Sequence, residues 1–248
     1  MTQHREYRRE PADADRSVLF IHGIVGSPVH FREFYPHVPK NWAIRSLLLD
    51  GHGGAVARFS GSSMAAWKEQ VGQAVDDLGG RASPLMIVGH SMGCLLAIDQ
   101  AIRRPDLVKA LFLLAVPLKA RMTRRAASQS VRTALGFDPG GDPVLQAARE
   151  AYSMDPDRRI WRYLGYLPRY YELTKVMRET RELVCGLNIP CRVLMSADDE
   201  IVSPRSAEWL SCNASIELDW LEHSDHKYYP PQDKGYLLDE FDFFCRKL

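Results

Sequence analysis

The chain has 248 residues, with 32 Lys+Arg against 31 Asp+Glu and a formal net charge of +1. Hydrophobic residues make up 46% and charged residues 25%, an ordinary globular composition that excludes disorder, collagen and coiled coil for the chain as a whole. The balanced charge excludes a strongly basic nucleic-acid or membrane-surface binder, and the length fits one domain, or one domain carrying a large insertion.

The opening residues are polar and charged, with no apolar h-region, so no secretory signal is expected. Residues 17–21 (SVLFI) read as a buried strand ending at His22-Gly23. Residues 28–38 suit a helix with Phe31, Phe34 and Tyr35 on one face. A second strand over 43–49 closes at the loop DGHGG, 50–54. Residues 62–78 form an amphipathic helix, capped by Ser62 or Ser63, with Trp67, Val71, Val75 and Leu78 on one stripe. A third strand over 85–88 runs straight into GHSMG, 89–93, and a helix follows to Arg103, stopped by Pro105. A fourth apolar strand covers 108–116.

The alternation then breaks. Residues 117–186 hold helical stretches and no comparable strand, which predicts a helical cap of about 70 residues inserted into a core made of 1–116 and 187–248. Strand and helix alternate again in strand 191–197, helix 203–210, strand 214–221 and helix 234–246. Apolar strands each followed by a helix imply an α/β fold, a mostly parallel sheet with helices on both faces. No stretch approaches about 18 uninterrupted apolar residues, so no integral membrane contact is expected. The five cysteines are widely spaced without a CxxC pair, which predicts free thiols in a reducing cytoplasm.

The sharpest chemical signal is Gly89-His90-Ser91-Met92-Gly93, the G-x-S-x-G nucleophile elbow. A strand turning abruptly into a helix strains its central residue and brings the flanking positions together, so glycine is needed on both sides. Serine needs a base. His226, in a loop after the last strand, can reach back over the sheet edge; His223 is the alternative, and His90 is expected to point away from Ser91. The base needs a carboxylate to orient it. Asp199 or Asp198, just after a buried strand, supplies one. An oxyanion hole needs two N–H donors; Met92, next to the nucleophile, and Ile24, in the loop HGIVG, are the candidates. No metal-ligand cluster accompanies these residues, and neither metal nor cofactor is expected.

These motifs give a resemblance. HGIVGSP at 22–28, DGHGG at 50–54, GHSMG at 89–93, ADDEIVSP at 197–204 and SDH at 224–226 are similar to those of the α/β-hydrolase family, in particular small bacterial carboxylesterases and monoacylglycerol-lipase-like enzymes. The resemblance implies the α/β-hydrolase fold, with Ser91 as nucleophile, Asp199 as acid, His226 as base, Ile24 and Met92 as oxyanion donors, and the insertion as cap. It departs from the family at Asp225, where glycine is usual. The implied activity is hydrolysis of short- to medium-chain acyl esters, monoacylglycerols among them, through an acyl-enzyme. The same triad would serve an acyltransferase, and a retired hydrolase fold could serve as an interaction protein. The small acyl ester is the only partner implied, with no nucleic acid. The cap leans basic and the core leans acidic.

Overall fold

The computed structural model describes residues 4–248. Among them seven strands form one sheet: Tyr7–Arg9 (β1), Arg16–Ile21 (β2), Trp42–Leu47 (β3), Leu85–His90 (β4), Val108–Leu114 (β5), Cys191–Ser196 (β6) and Ile216–Leu221 (β7). Their order is β1-β3-β2-β4-β5-β6-β7, and every pairing is parallel except β1 against β3.

Alternation along the central strands explains the two covered faces. Leu19 and Ile21 of β2, Leu85 and Ile87 of β4, and Leu111 and Leu113 of β5 enter one buried cluster. Val18 and Phe20, Met86 and Val88, and Ala110 and Phe112 enter the other. A strand buried on both sides needs apolar residues at every position, and these strands have them. The first cluster is covered by helices Val56–Ser60 (α1), Met64–Gly79 (α2) and Met92–Arg103 (α3).

The segment between β5 and β6 contains Arg124–Ala134 (α4), Pro143–Ala151 (α5), a 3-10 stretch Ile160–Tyr166 and Leu167–Leu183 (α6). Ser206–Leu210 (α7) follows β6, and Pro231–Lys247 (α8) covers the second cluster through Leu237, Phe241 and Phe244. The α6 segment is tied to the core: Glu172 accepts from the Met64 N–H at 2.9 Å, and the Arg169 guanidinium donates to the Ser60 and Ser62 carbonyls. No helix among the described residues is long and apolar enough to cross a membrane.

Two expectations differ from the structure, and one strand was not expected at all. Residues 28–38 are not one helix but two 3-10 turns, Pro28–Phe31 and Tyr35–His37. Pro36 lacks the N–H that a continuous helix would need and obstructs the preceding turn. Phe31 and Phe34 are buried regardless. The polar opening segment contains β1, an antiparallel edge strand held by Tyr7 stacking on Tyr35 at 4.3 Å and by the Arg9 guanidinium on the Val38 and Trp42 carbonyls. Finally, not all five cysteines are free. Cys185, at the return from the α6 segment, and Cys212, just after α7, form a disulfide with Cα atoms 5.9 Å apart. The 27 residues separating them in sequence hid this proximity; Cys94, Cys191 and Cys245 are free and buried.

Candidate active site

Strands β2 and β4 are neighbours although the chain visits β3 between them. Loops leaving their C-terminal ends diverge there, and such a switch point is where open α/β sheets form crevices. The loops after β2, β4, β6 and β7 carry the candidate residues.

Strand β4 ends at His90 and α3 begins at Met92, so Ser91 alone makes the turn, at φ 53° and ψ −122°. A non-glycine residue with that backbone is strained. The turn is pinned by Ser91 N–H on the Leu114 carbonyl at 2.9 Å and by Cys94 N–H on the Ser91 carbonyl at 2.8 Å. A Cβ on Gly89 would stand 2.8 Å from the Cys94 backbone, and one on Gly93 would overlap the Ile21 carbonyl oxygen. Only glycine lets α3 lie this close to the sheet.

The loop after β2 is turned by the Gly26 N–H on the Gly23 carbonyl at 3.0 Å, with Val25 at φ 52°. A Cβ on Gly23 would come within 3.0 Å of Ser91 Cβ, so glycine permits the approach. Ser153, just beyond α5, donates its N–H to the Val25 carbonyl at 3.0 Å and ties the segment above the sheet to this loop. Among the described residues neither the Ile24 nor the Met92 N–H donates to a protein acceptor. Both are open donors beside Ser91, and Met92 heads a helix whose positive dipole end faces the same place.

His226 Nδ1 lies 2.8 Å from Asp199 Oδ2, and both residues are buried. Asp199 Oδ1 accepts the N–H groups of Ile201 at 2.8 Å and Val202 at 2.7 Å. The carboxylate is thereby fixed in orientation, and Nε2 is left as the free nitrogen of the His226 ring. Ser91 and His226 border a common void of about 10 Å³, the room that one water molecule needs. Asp198 and His223 are both exposed and outside this arrangement. Ser91, Asp199 and His226 are thus brought together, with Ile24 and Met92 beside them.

Beyond the expectation that His90 points away from Ser91, the structure gives its ring a contact with the loop that carries the base. The His90 ring is buried and bonds through Nε2 to the His226 carbonyl at 2.8 Å, with its centroid 3.9 Å from that of His30. Nε2 of a neutral imidazole must carry the proton to bond a carbonyl. Burial keeps these rings neutral: it is the chief cause holding His90 and His22 well below the usual histidine range, His30 at about 3 and His52 at about 4. His22 holds the loop after β3, its Nε2 accepting the Leu49 N–H at 3.1 Å. The signal in the sequence was the count of histidines in strand-end loops; their mutual stacking was not deducible from spacing.

Above His226 lies an apolar cavity of about 330 Å³, whose wall includes Val25, Leu135, Val144, Ala148, Ile160 and Tyr163. Of the apolar residues of the 117–186 segment, Leu135 and Tyr163 line it, Leu145 and Met177 are buried, and Met122, Phe137, Trp161, Leu164 and Leu167 are exposed. The described residues contain no group of three or more side chains arranged to hold a metal ion.

Comparison with known proteins agrees with this architecture. The Alpha/beta hydrolase family profile matches residues 18–235. A pimeloyl-[acyl-carrier protein] methyl ester esterase of Neisseria meningitidis serogroup B is 27% identical over 234 residues, covering 85% of this chain and 84% of that one. Among solved structures, a metagenome-derived lipolytic enzyme superposes with a TM-score of 0.76 at 21% identity, covering 99% of this chain and 98% of its own. The monoacylglycerol lipase of Paleococcus ferrophilus superposes with a TM-score of 0.72 at 15% identity, covering 99% of both chains.

Proposed function

Because the chain belongs to the alpha/beta hydrolase family, we propose that it is a serine esterase that hydrolyses short- to medium-chain acyl esters of small alcohols through an acyl-enzyme. The observation that carries this reading is the buried Asp199–His226 pair at 2.8 Å, whose His226 borders one void with the strained Ser91.

In this reading His226 Nε2 takes the Ser91 proton as Oγ forms a bond to the ester carbonyl carbon. The Ile24 and Met92 N–H groups stabilise the oxyanion, each worth roughly 3 kcal/mol in the transition state. Collapse breaks the bond to the alkoxide, which leaves with the proton held on His226. Water repeats the sequence on the acyl-enzyme and regenerates Ser91. Asp199 stabilises the imidazolium at both stages. The apolar cavity suits the acyl chain, and the curated relative's methyl ester substrate fits a small leaving alcohol. Cytoplasmic residence belongs to the same reading, and there the exposed Cys185–Cys212 pair would meet reducing thiols.

The test is a chain-length series of p-nitrophenyl and methyl esters beside monoacylglycerols, with Ser91→Ala as control. Turnover that peaks at short or medium chains and vanishes in Ser91→Ala supports the reading; undiminished turnover in that variant refutes it.

A further inference from the structure

Helix α5 divides the space above the sheet edge. Val144 and Ala148 face the apolar cavity, while Gln146 and Glu150 face a polar cleft of about 510 Å³ on the other side. Arg32, His30 and residues of the 227–234 segment close that cleft. One residue, Lys227, borders the apolar cavity, the polar cleft and the small void that holds Ser91. It follows His226 in the chain, and its charge is felt at both His30 and His90.

The pairing of charges around this cleft is uneven. Lys234 is paired with Glu33 at 2.9 Å. The Lys227 ammonium has no carboxylate partner among the described residues. Asp225, two residues before it, turns its Oδ1 to the backbone N–H groups of Lys227 and Tyr228, both at 2.8 Å. Burial lowers the Lys227 pKa from the usual lysine value, against the pull of Asp225. A partly buried cation without a partner is costly to maintain. At the junction of a catalytic void and an open polar cleft, it is a binding group waiting for an anion. Arg32 adds a second cation to the cleft, and Glu150 is the acid there that no lysine or arginine neutralises.

We propose that this cleft is a second substrate subsite, that it receives the leaving-alcohol side of the ester, and that Lys227 makes it select alcohols carrying an anionic group close to the ester oxygen. The inference rests on the serine esterase reading above. It assigns the two sides of the substrate by chemistry, with hydrocarbon in the apolar cavity and charge at Lys227.

The experiment compares the octanoyl esters of glycolate and of glycolamide, its neutral isostere, beside p-nitrophenyl octanoate. A carboxylate next to the ester lowers its intrinsic electrophilicity, so a preference for the glycolate ester has to come from the protein. The expected kcat/KM ratio of glycolate to glycolamide ester is about tenfold in the wild type, shrinking as salt is added. Lys227→Met should bring the ratio to one or below, and Lys227→Arg should restore most of it. A wild-type ratio of one or less, with p-nitrophenyl octanoate hydrolysed, overturns the subsite and leaves the esterase reading standing. A ratio that survives Lys227→Met overturns the role of Lys227. Hydrolysis of none of the three esters removes the esterase reading and this inference with it. The wild-type ratio and its salt response decide the matter even where a variant does not fold.

Discussion

Asp199 uses both carboxylate oxygens, Oδ2 on His226 Nδ1 at 2.8 Å and Oδ1 on two backbone N–H groups, whereas its neighbour Asp198 lies exposed in solvent. An amide at 199 could not accept on both sides and would hold the wrong His226 tautomer. Asp199→Asn should therefore lower kcat on p-nitrophenyl butyrate by about 10⁴-fold. Asp198→Asn should change it by no more than a few-fold. The reverse ranking would reassign the acid.

His90 bears on the same base from the other side, through its bond to the His226 carbonyl. Removing the donor frees the 225–228 loop without touching Ser91 or Asp199. His90→Met should lower kcat about tenfold to a hundredfold with KM nearly unchanged, since an interaction that aligns the base matters most in the transition state. His90→Gln, which returns an N–H at similar reach, should recover part of the loss. Equal losses in both variants would mean that His90 only fills space.

Much of this arrangement is legible in the sequence. The elbow was readable because sterics at a strand-to-helix turn demand glycine at 89 and 93, and the overlap of a Gly93 side chain with Ile21 bears that out. The sheet was readable because strands buried on both faces are apolar at every position. Asp199 and Asp198 were not separable by spacing, because one residue of strand register decides which carboxylate turns inward. The helix expected over 28–38 failed because apolar periodicity outweighed Pro36. Residues such as His90 and Cys212 are engaged through contacts distant in sequence, which no local pattern encodes.

The buried histidines make stability depend on pH. His30 and His52 have folded-state values of about 3 and about 4, and burial is the largest cause in each. An unfolded histidine titrates near 6.5. Between these values the unfolded chain binds more protons than the folded one, so stability falls as pH falls. The loss should begin below about pH 6.5 and continue toward pH 4, at up to about 1.4 kcal/mol per pH unit for each histidine. Urea midpoints measured from pH 7.5 to 4.5 check it, and His52→Phe should flatten the slope. A midpoint constant across that range would contradict the buried, neutral assignment.

The Cys185–Cys212 disulfide links the end of the α6 segment to the turn after α7, spanning 27 residues. Constraining a loop of that length in the unfolded chain is worth roughly 3.5 kcal/mol on the chain-entropy account. The junction has a second tie. The Asn213 amide donates to the Val184 carbonyl at 3.1 Å and the Leu187 carbonyl at 2.8 Å. Cys185→Ser/Cys212→Ser should therefore fold and keep its esterase activity, with Tm lowered by something on the order of 10 °C. Thermal melts of wild type with and without dithiothreitol, beside the double variant, separate the contributions. The reduced wild type should match the double variant; an unchanged Tm on reduction would mean that the bond adds nothing to what Asn213 already holds.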